Sequence, residues 1–235
     1  MSVSVVIALG GNLGDVQAIG EVALSQLNET PGLEVQRSSR WYSTEPVGCE
    51  GRFLNSAALL LSELTPLQLL DRLQEIETSL GRVRTGRWTP RTLDLDIVLF
   101  GSWQVDHSRL IVPHPAAWHR RFVLDPACEI ASEMGHPALG LTLGQLRERL
   151  LPRPLLASGC GERPHPGITN AAVQARFGSR VRWVGEDELG IVRFVPTPSA
   201  PLGPFQVALS SDPGEARRIV TETLTALLDE PVVQP

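Results

Sequence analysis

The chain has 235 residues, of which 42% are hydrophobic and 20% charged, with 21 basic residues against 26 acidic ones. This composition excludes a disordered chain, and no apolar run is long enough to span a membrane. Every basic residue is an arginine. The absence of lysine excludes a Walker-A phosphate loop, a protein-kinase ATP site and Schiff-base chemistry.

The cysteine pattern and the net charge limit the cellular compartment and the binding partners that we expect. The three cysteines are widely spaced and form no C-x-x-C pair, so we expect neither a structural zinc site nor a disulfide framework. A reducing cytoplasm fits this pattern best, and residues 3–9 lack the flanks of a signal peptide. The net charge of −5 disfavours sequence-independent binding to nucleic acid.

The first third of the chain alternates between strand and helix patterns. Residues 3–9 form an apolar run typical of a buried strand, which we expect to end at the glycine-rich stretch 10–14. A helical stripe follows at Val16, Ile19, Ala23 and Leu27. Residues 33–42 and 53–61 are predicted as two further strands.

The next helix and strand have sharper boundaries. Thr65 is a candidate N-cap, with Pro66 at the first helical position and Gln68 completing a capping box. Gly81 is expected to stop this helix. The segment 93–100 then alternates as a strand, with Leu93, Leu95, Ile97 and Leu99 on one face and Asp94, Asp96, Val98 and Phe100 on the other.

The resulting order, β-α-β-β-α-β, predicts an α+β fold of the ferredoxin-like plait type, an antiparallel sheet with helices. Short elements at 109–113, 125–131 and 142–150 decorate it. Beyond residue 150 the composition changes, because 11 of the 19 prolines fall in the last 85 residues. We therefore predict a core at 1–152, a proline-rich linker at 153–166 and a small α+β accessory module at 167–235. That module has a strand pair at 180–184 and 190–195, and a helix beginning near Asp212.

The pair Asp94 and Asp96 is the strongest chemical signal. Positions i and i+2 of a strand share a face, and two neighbouring carboxylates repel each other unless water or a cation compensates. A divalent ion that bridges these carboxylates to substrate phosphates would offset their repulsion. The alternative interpretation is a solvated polar face on an edge strand.

The arginine-rich segment before this pair favours phosphate binding. Arg82, Arg84, Arg87 and Arg91 lie within ten residues, and guanidinium groups opposite a metal suit a polyphosphate. The alternative is a surface charge cluster in which these arginines pair Asp94, Asp96 and Glu77. Trp88 in the same segment either covers a ligand or anchors the loop.

Two further motifs are weaker. The stretch Gly10-Gly11-Asn12-Leu13-Gly14-Asp15 is not G-x-G-x-x-G, because Leu9 occupies the first glycine position. It is typical of an ordinary turn, with Asp15 as a helix cap. His114 is flanked by two prolines, and a lone histidine is more often structural than catalytic.

Together these segments resemble the 6-hydroxymethyl-7,8-dihydropterin pyrophosphokinases of folate synthesis. The resemblance runs from about residue 3 to 150 and is carried by the following motifs: Ala8 to Gly14, Ser43 to Gly48, Phe53-Leu54-Asn55 with Ala57, Gly81-Arg82-Val83-Arg84, Arg87-Trp88, Pro90 to Ile97, and Val112-Pro113-His114 with Arg120 and Phe122. Arg121 departs from the family pattern, in which glycine is frequent.

The resemblance implies a role for each matching residue. Asp94 and Asp96 would bind two Mg²⁺ ions, with Arg82 and Arg91 as further catalytic residues. The ATP site would comprise Gln74, Arg84, Arg87, Trp88, Ile97, Arg109, His114 and Arg120. The pterin site would comprise Thr44, Val47, Phe53, Asn55 and Phe122, with the two phenylalanines stacking on the ring.

The implied reaction is transfer of pyrophosphate from MgATP to the pterin alcohol, with release of AMP. The implied partners are small molecules, with no nucleic acid or membrane, and the chain is expected to be a monomer. Two rival hypotheses remain: an RNA-binding plait, which needs exposed aromatic residues on the sheet, and a nucleotidyltransferase, which would release pyrophosphate instead of AMP. A regulatory or oligomerising role for the C-terminal region is a third possibility.

Overall fold

The structure, a computed structural model, describes residues 1–45, 51–82, 92–159, 170–184, 190–196 and 202–234. The chain divides into two units. The first comprises Met1–Arg147 together with Asp229–Pro235, and the second comprises Glu148–Leu228. The first boundary lies a few residues before 152, and the chain returns to the first unit at Asp229.

The first unit contains β1 (Val3–Gly11), α1 (Val16–Asn28), β2 (Leu33–Ser38), β3 (Tyr42–Thr44), β4 (Phe53–Ser62), α2 (Pro66–Ser79), β5 (Asp94–Phe100), β6 (Val105–His107), β7 (Leu110–Val112), α3 (Arg121–Ala131), β8 (Gly135–His136), β9 (Leu141–Thr142) and α4 (Leu143–Glu148, whose last residue begins the second unit). The second unit contains β10 (Leu155–Gly159), α5 (Asn170–Phe177), β11 (Val181–Val184), β12 (Val192–Pro196), β13 (Gln206–Leu209) and α6 (Pro213–Leu228). The last strand, β14 (Val232–Val233), belongs to the first unit.

The main sheet of the first unit is antiparallel. Its order is β14-β3-β4-β1-β5, and β2 pairs with the far half of β4. Residues of α1 and α2 pack with alternate residues of β1 and β5 into one hydrophobic core, which includes Ile7, Leu9, Leu27, Leu73 and Leu95. The expectation of an antiparallel sheet with helices is confirmed.

Both helices begin where the sequence predicts. The side chain of Asp15 accepts a hydrogen bond from the Ala18 N–H and caps α1. Thr65 and Gln68 form both hydrogen bonds of a capping box at the start of α2, with Pro66 as its first residue. These caps satisfy N–H groups that have no partner within the helix.

Two strand predictions were wrong. Gly10 and Gly11 belong to β1 and pair with β4, so the strand does not end at Leu9. The segment 33–42 forms two strands instead of one. The break lies at Ser39, whose side-chain hydroxyl replaces a main-chain acceptor and receives the N–H of Ala57 at 2.9 Å.

A β-bulge in β5 changes which residues face the core. Val6 pairs with Leu99 and Ile7 with Ile97, so Val98 is the extra residue. Because a bulge shifts the alternation by one residue, Phe100 joins the helix-facing core and Leu99 does not. The predicted faces of Leu99 and Phe100 are therefore wrong, whereas those of residues 93–97 are correct.

The second unit is built on a parallel sheet of order β11-β10-β12-β13. The segment 155–159, assigned to a linker from its flanking prolines, forms the interior strand β10. It separates β11 from β12, so these two do not form the predicted strand pair. Within the described ranges, no helix is long and apolar enough to cross a membrane.

Candidate active site

Gly10 stands between two of the predicted site residues. In the register of the sheet it pairs with Asn55 of β4 on one side and with Asp94 of β5 on the other. Directly paired residues of an antiparallel sheet share a face, and neighbouring strands lie about 4.8 Å apart. Asn55 and Asp94 therefore lie about 10 Å apart on one face. Asp96, opposite Ala8, lies on the same face.

The amide of Asn55 is fixed by its surroundings. Asn55 is buried, and its Nδ2 donates to Oγ1 of Thr44 in β3 at 2.8 Å. A Cβ atom on Gly10 would lie 2.8 Å from Oδ1 of Asn55, closer than real Cβ contacts. The glycine is therefore required by this side chain, a role that the glycine-rich pattern alone did not reveal.

The end of α2 turns the chain back so that Arg82 stands beside Glu77. Gly81 adopts φ +85°, and the N–H groups of Gly81 and Arg82 donate to the carbonyls of Thr78 and Glu77. This is the Schellman motif, which needs a left-handed residue at that position. The Arg82 guanidinium then bridges two carboxylates, Glu77 in a short contact and Asp94 at 2.6 Å.

Glu77 is a buried acid that joins α2 to β5. Its side chain is 2% exposed, and its Oε1 accepts the N–H of Leu95 at 2.7 Å. Burial raises the pKa of Glu77 to about 7, against the opposing effects of the Leu95 hydrogen bond and the Arg82 charge. The sequence offered Glu77 only as a surface partner for arginines. The sequence signal for its buried role was its position on the buried face of α2, four residues before Gly81.

His114 is held by the bulge of β5. Its N–H donates to the carbonyl of Val98 at 3.0 Å, and its ring Nδ1 accepts the N–H of Ala116 at 3.1 Å. Burial, followed by the charge of Arg120, lowers the pKa of His114 to about 4. The ring is therefore neutral near pH 7, with its proton on Nε2.

A second histidine, His119, lies in the same environment and was missed from the sequence. Burial, followed by the charges of Arg120 and His114, lowers its pKa to about 3. Its ring contacts Trp118 edge to face, with centroids 4.7 Å apart. Only its spacing from His114, five residues along the same loop, pointed to it.

The aromatic residues of the site lie at the ends of two elements. Phe53 begins β4, opposite Thr44, and Phe122 lies in the first turn of α3, which packs against β4. The guanidinium carbon of Arg120 lies 5.6 Å from the centre of the Phe122 ring. Arg120 and Phe122 are thus neighbours, as the motif requires.

Arg121, the residue that departs from the family pattern, is buried at the start of α3. Its Nη2 lies 2.6 Å from Oδ2 of Asp125, and Asp125 also receives Nε of Arg147 at 2.5 Å. The side chains of Arg121 and Asp125 are only 8% and 5% exposed. Arg121 therefore forms a charge network beneath the site.

Three of the residues predicted to bind ATP either lie away from this face or make other contacts. Ile97 is buried in the helix-facing core, so its side chain is turned away from Asp94 and Asp96. Arg109 lies between β6 and β7 and forms a short ion pair with Asp71 of α2. Gln74 is half-buried on α2. The predictions for Val47, Arg84, Arg87, Trp88 and Arg91 fall outside the described residues.

The carboxylates present fit a metal that arrives with its substrate. Asp94 and Asp96 project from one strand on the face that also carries Asn55. Among the described residues, no three His, Cys, Asp or Glu side chains form a metal-binding group. A pair of carboxylates that leaves the remaining positions to phosphate and water suits Mg²⁺ better than a metal requiring a complete protein cage.

A carboxylate pair beside a partly buried arginine suits an enzyme whose substrate carries phosphate, and the fixed amide of Asn55 can hydrogen-bond a second ligand group. The model of the 7,8-dihydro-6-hydroxymethylpterin-pyrophosphokinase (HPPK) family matches residues 6–132. Since that is more than half of the chain, the chain belongs to this family.

Curated relatives agree with the family match. A 2-amino-4-hydroxy-6-hydroxymethyldihydropteridine pyrophosphokinase of Synechocystis is 40% identical over 146 residues, covering 62% of this chain and 75% of the relative. The enzyme of the same name from Bacillus subtilis is 43% identical over 130 residues, covering 54% of this chain and 78% of the relative. The residues that the family model matches all lie in the first unit, and the match does not reach the second unit.

Solved structures support the fold alone. The wild-type HPPK-DHPS of Plasmodium falciparum with pteroate is similar with a TM-score of 0.53 at 13% identity, covering 97% of this chain and 62% of that one. The chain thus spans under two thirds of the length of that solved chain. As a family member the chain is a diphosphotransferase of folate biosynthesis, which transfers pyrophosphate from ATP to 6-hydroxymethyl-7,8-dihydropterin. This confirms the activity predicted from the motifs.

Proposed function

We propose that the face of the sheet around Gly10 is the catalytic surface on which ATP and the pterin meet. The register that sets Asn55 and Asp94 on either side of Gly10 carries this proposal. It puts a hydrogen-bonding group for a heterocycle about two strand spacings, roughly 10 Å, from a carboxylate for a metal-bound phosphate. A pterin and a triphosphate aligned for in-line transfer need such a separation between ring and phosphate.

Asp94 and Asp96 would hold Mg²⁺, two ions by the resemblance, together with ATP. The metal, when bound, neutralises phosphate charge and orients the oxygens of the polyphosphate. The ion pair between Arg82 and Asp94 supports this assignment, because it keeps a guanidinium beside the carboxylate where phosphate would bind. Arg82 would then donate to phosphate oxygens as charge develops on them.

The remaining phosphate contacts are assigned to the arginine-rich segment and to the loop after β7. Arg84, Arg87 and Arg91 would donate to the phosphates, and Trp88 would cover the nucleotide. Neutral His114 would donate from Nε2, because its Nδ1 is already an acceptor for the Ala116 N–H. Arg120 would add a positive charge beside it.

The pterin is assigned to the opposite half of the face. Asn55, fixed by Thr44 and Gly10, would hydrogen-bond the ring, and the backbone near Val47 would add further contacts. Phe53 and Phe122 would stack on its two faces. Buried and prearranged polar groups of this kind reject rings that lack the matching donors and acceptors.

The reaction would proceed by attack of the pterin hydroxymethyl oxygen on the β-phosphorus of ATP, with AMP leaving in line. Positioning and charge neutralisation account for most of the catalysis of phosphoryl transfer. No residue is assigned as general base. Glu77 would act indirectly by holding Arg82 and the start of β5 in place.

The strand topology, the cellular location and the oligomeric state are also part of this proposal. If β2 and β3 are counted as one strand, the order β2/β3-β4-β1-β5 is that of a ferredoxin-like plait. We place the enzyme in the cytoplasm as a monomer without nucleic-acid or membrane partners. The second unit would be an accessory module, and its role stays unassigned.

Product analysis tests the proposal. Purified protein is incubated with MgATP and 6-hydroxymethyl-7,8-dihydropterin, beside Asp96→Ala and a control, Asp106→Ala, which removes an exposed carboxylate of β6. We expect AMP and pterin diphosphate from the parent and the control, and their loss in Asp96→Ala. Release of pyrophosphate instead of AMP would identify a nucleotidyltransferase, and the absence of any turnover in the parent would refute the proposal.

A further inference from the structure

The segment Asp229–Gln234 completes the sheet of the first unit although it follows the whole second unit in the chain. Its strand β14 pairs antiparallel with β3, with Val232 opposite Ser43 and Val233 opposite Tyr42. The N–H of Gln234 extends the pairing by donating to the carbonyl of Trp41 at 2.8 Å. This segment lies beyond residue 132, where the family match ends.

Strand β3 has only three residues, and it carries Thr44, the partner of Asn55. One edge of β3 pairs with β4, and β14 occupies the other. Without β14 the outer N–H and C=O groups of β3 would need other partners, since unpaired main-chain groups are costly when removed from water. A three-residue strand with an open edge would hold Thr44 loosely.

Asp229 adds a second connection from the same segment. The residue is 7% exposed, and burial raises the pKa of its carboxyl to about 6, although the main-chain N–H of Glu45, the residue that follows β3, acts to lower it. The positive charge of Arg121, at the start of α3, acts favourably on the ionised carboxyl. Glu45 directly follows Thr44 and Arg121 directly precedes Phe122, so the groups that act on Asp229 are sequence neighbours of two proposed pterin residues.

We propose that Asp229–Gln234 is a positioning element of the pterin site, which fixes β3 and the residue after it so that Thr44 can orient Asn55. The proposal rests on the assignment of the pterin to Asn55 given above. It predicts a defect that is specific to one substrate, because the segment is linked to β3 and α3, and the metal-binding carboxylates lie on β5.

Full-length variants separate this role from a general loss of stability. Gln234→Pro deletes the N–H that the Trp41 carbonyl accepts, and Gln234→Ala retains that N–H. The ratio of the pterin constants of these two variants therefore isolates the contribution of the main-chain pairing. Asp229→Ala removes the carboxyl group that the Glu45 N–H favours, and Asp229→Asn keeps an oxygen at that position. We measure the KM for pterin, the KM for ATP, and the Kd of the pterin by its fluorescence with a non-hydrolysable ATP analogue.

We expect Gln234→Pro to raise the pterin KM and Kd about fivefold over Gln234→Ala, as the loss of one hydrogen bond implies. Asp229→Ala should raise both about tenfold, with most of the effect reversed in Asp229→Asn. The KM for ATP should stay within about twofold of the parent value in every variant. A parallel change in the constants of both substrates, or no change in either, would overturn the inference. A parent that neither turns over nor binds pterin would instead refute the function on which it rests.

Discussion

Asn55 and Asp94 face each other across a single glycine, Gly10, in continuous register through three strands. The distance between the proposed pterin and metal sites is thus set by main-chain hydrogen bonds of the sheet, which hold it more rigidly than loops would. The glycine permits this because the Asn55 amide occupies the space where a Cβ would lie. Four predictions follow from this arrangement and its supports.

Gly10→Ala should impair pterin binding selectively. The new Cβ would meet Oδ1 of Asn55 at 2.8 Å, so the amide must rotate or shift away from Thr44. We expect the pterin KM to rise tenfold or more, about 1.4 kcal/mol, with little change in the KM for ATP. Gly135→Ala is the matched control, since its Cβ would meet no atom within 4 Å. Equal kinetics in the two variants would contradict this account of Gly10.

Removing the Glu77 carboxylate should release Arg82 and weaken the first unit. Breaking a buried ion pair by deleting one partner costs about 3–5 kcal/mol, because the other charge is left unpaired. We expect Glu77→Ala to lower kcat more than tenfold and to speed hydrogen exchange at β5. Glu77→Gln, which keeps an acceptor for the Leu95 N–H, should restore part of the exchange protection.

The control for Glu77 is Glu75→Gln, two residues earlier on the exposed side of α2. Glu75 pairs with Arg72 at 3.2 Å, but its side chain is 67% exposed. Exposed ion pairs contribute about 0–1 kcal/mol, so the control should resemble the parent. A large effect of Glu75→Gln would indicate that the helix, and not the buried pair, is responsible.

His114 should remain neutral through the whole physiological range. Its folded-state pKa of about 4 lies below the ordinary 6.5, so the unfolded state binds the proton more tightly. The associated stability is present above pH 6.5 and is lost as the pH falls through about 4. At 1.4 kcal/mol per pKa unit the loss approaches roughly 3 kcal/mol. NMR of the imidazole carbons checks the midpoint, and a midpoint near 6.5 would show that the ring is exposed to water.

The buried network of Arg121 should contribute more to stability than an exposed one. We expect Arg121→Ala to destabilise the first unit by about 3 kcal/mol, because the buried Asp125 loses its buried partner and keeps only the more exposed Arg147. Arg218 of α6, which pairs with Glu215 and Glu222 at a more exposed position, serves as the comparison. Arg218→Ala should cost about 1 kcal/mol or less. Hydrogen exchange read separately in each unit measures both values, since a chain of two units does not unfold in one step.

The parts of the fold that were predictable from the sequence are those set by local interactions. The capping box at Thr65, the cap at Asp15 and the Asp94–Asp96 face each follow from residues within one turn or one strand. The bulge at Val98 did not, because its register depends on how β1 pairs with β5. That bulge also supplies the carbonyl that holds His114.

Long-range pairing accounts for the remaining differences. Strand β10 was taken for a linker, since its flanking prolines outweigh a run of only three apolar side chains until its partners β11 and β12 are known. The pairing of β14 with β3 joins residues about 190 positions apart, and no local pattern predicts it. Of the candidate site, the shared face of Asp94 and Asp96 followed from the sequence, whereas the buried role of Glu77 and the requirement for Gly10 needed the structure.

The position of β14 in the chain also orders events during synthesis. A ribosome that has finished the first unit's main segment at Arg147 must still make residues 148–231, that is 84 residues, before it reaches β14. At about 5–20 residues per second this takes about 4–17 s. During that interval β3 presents an open edge, which is a site for mispairing with another nascent chain. The half of the sheet proposed to bind the nucleotide can form early, and the half proposed to bind the pterin is closed last.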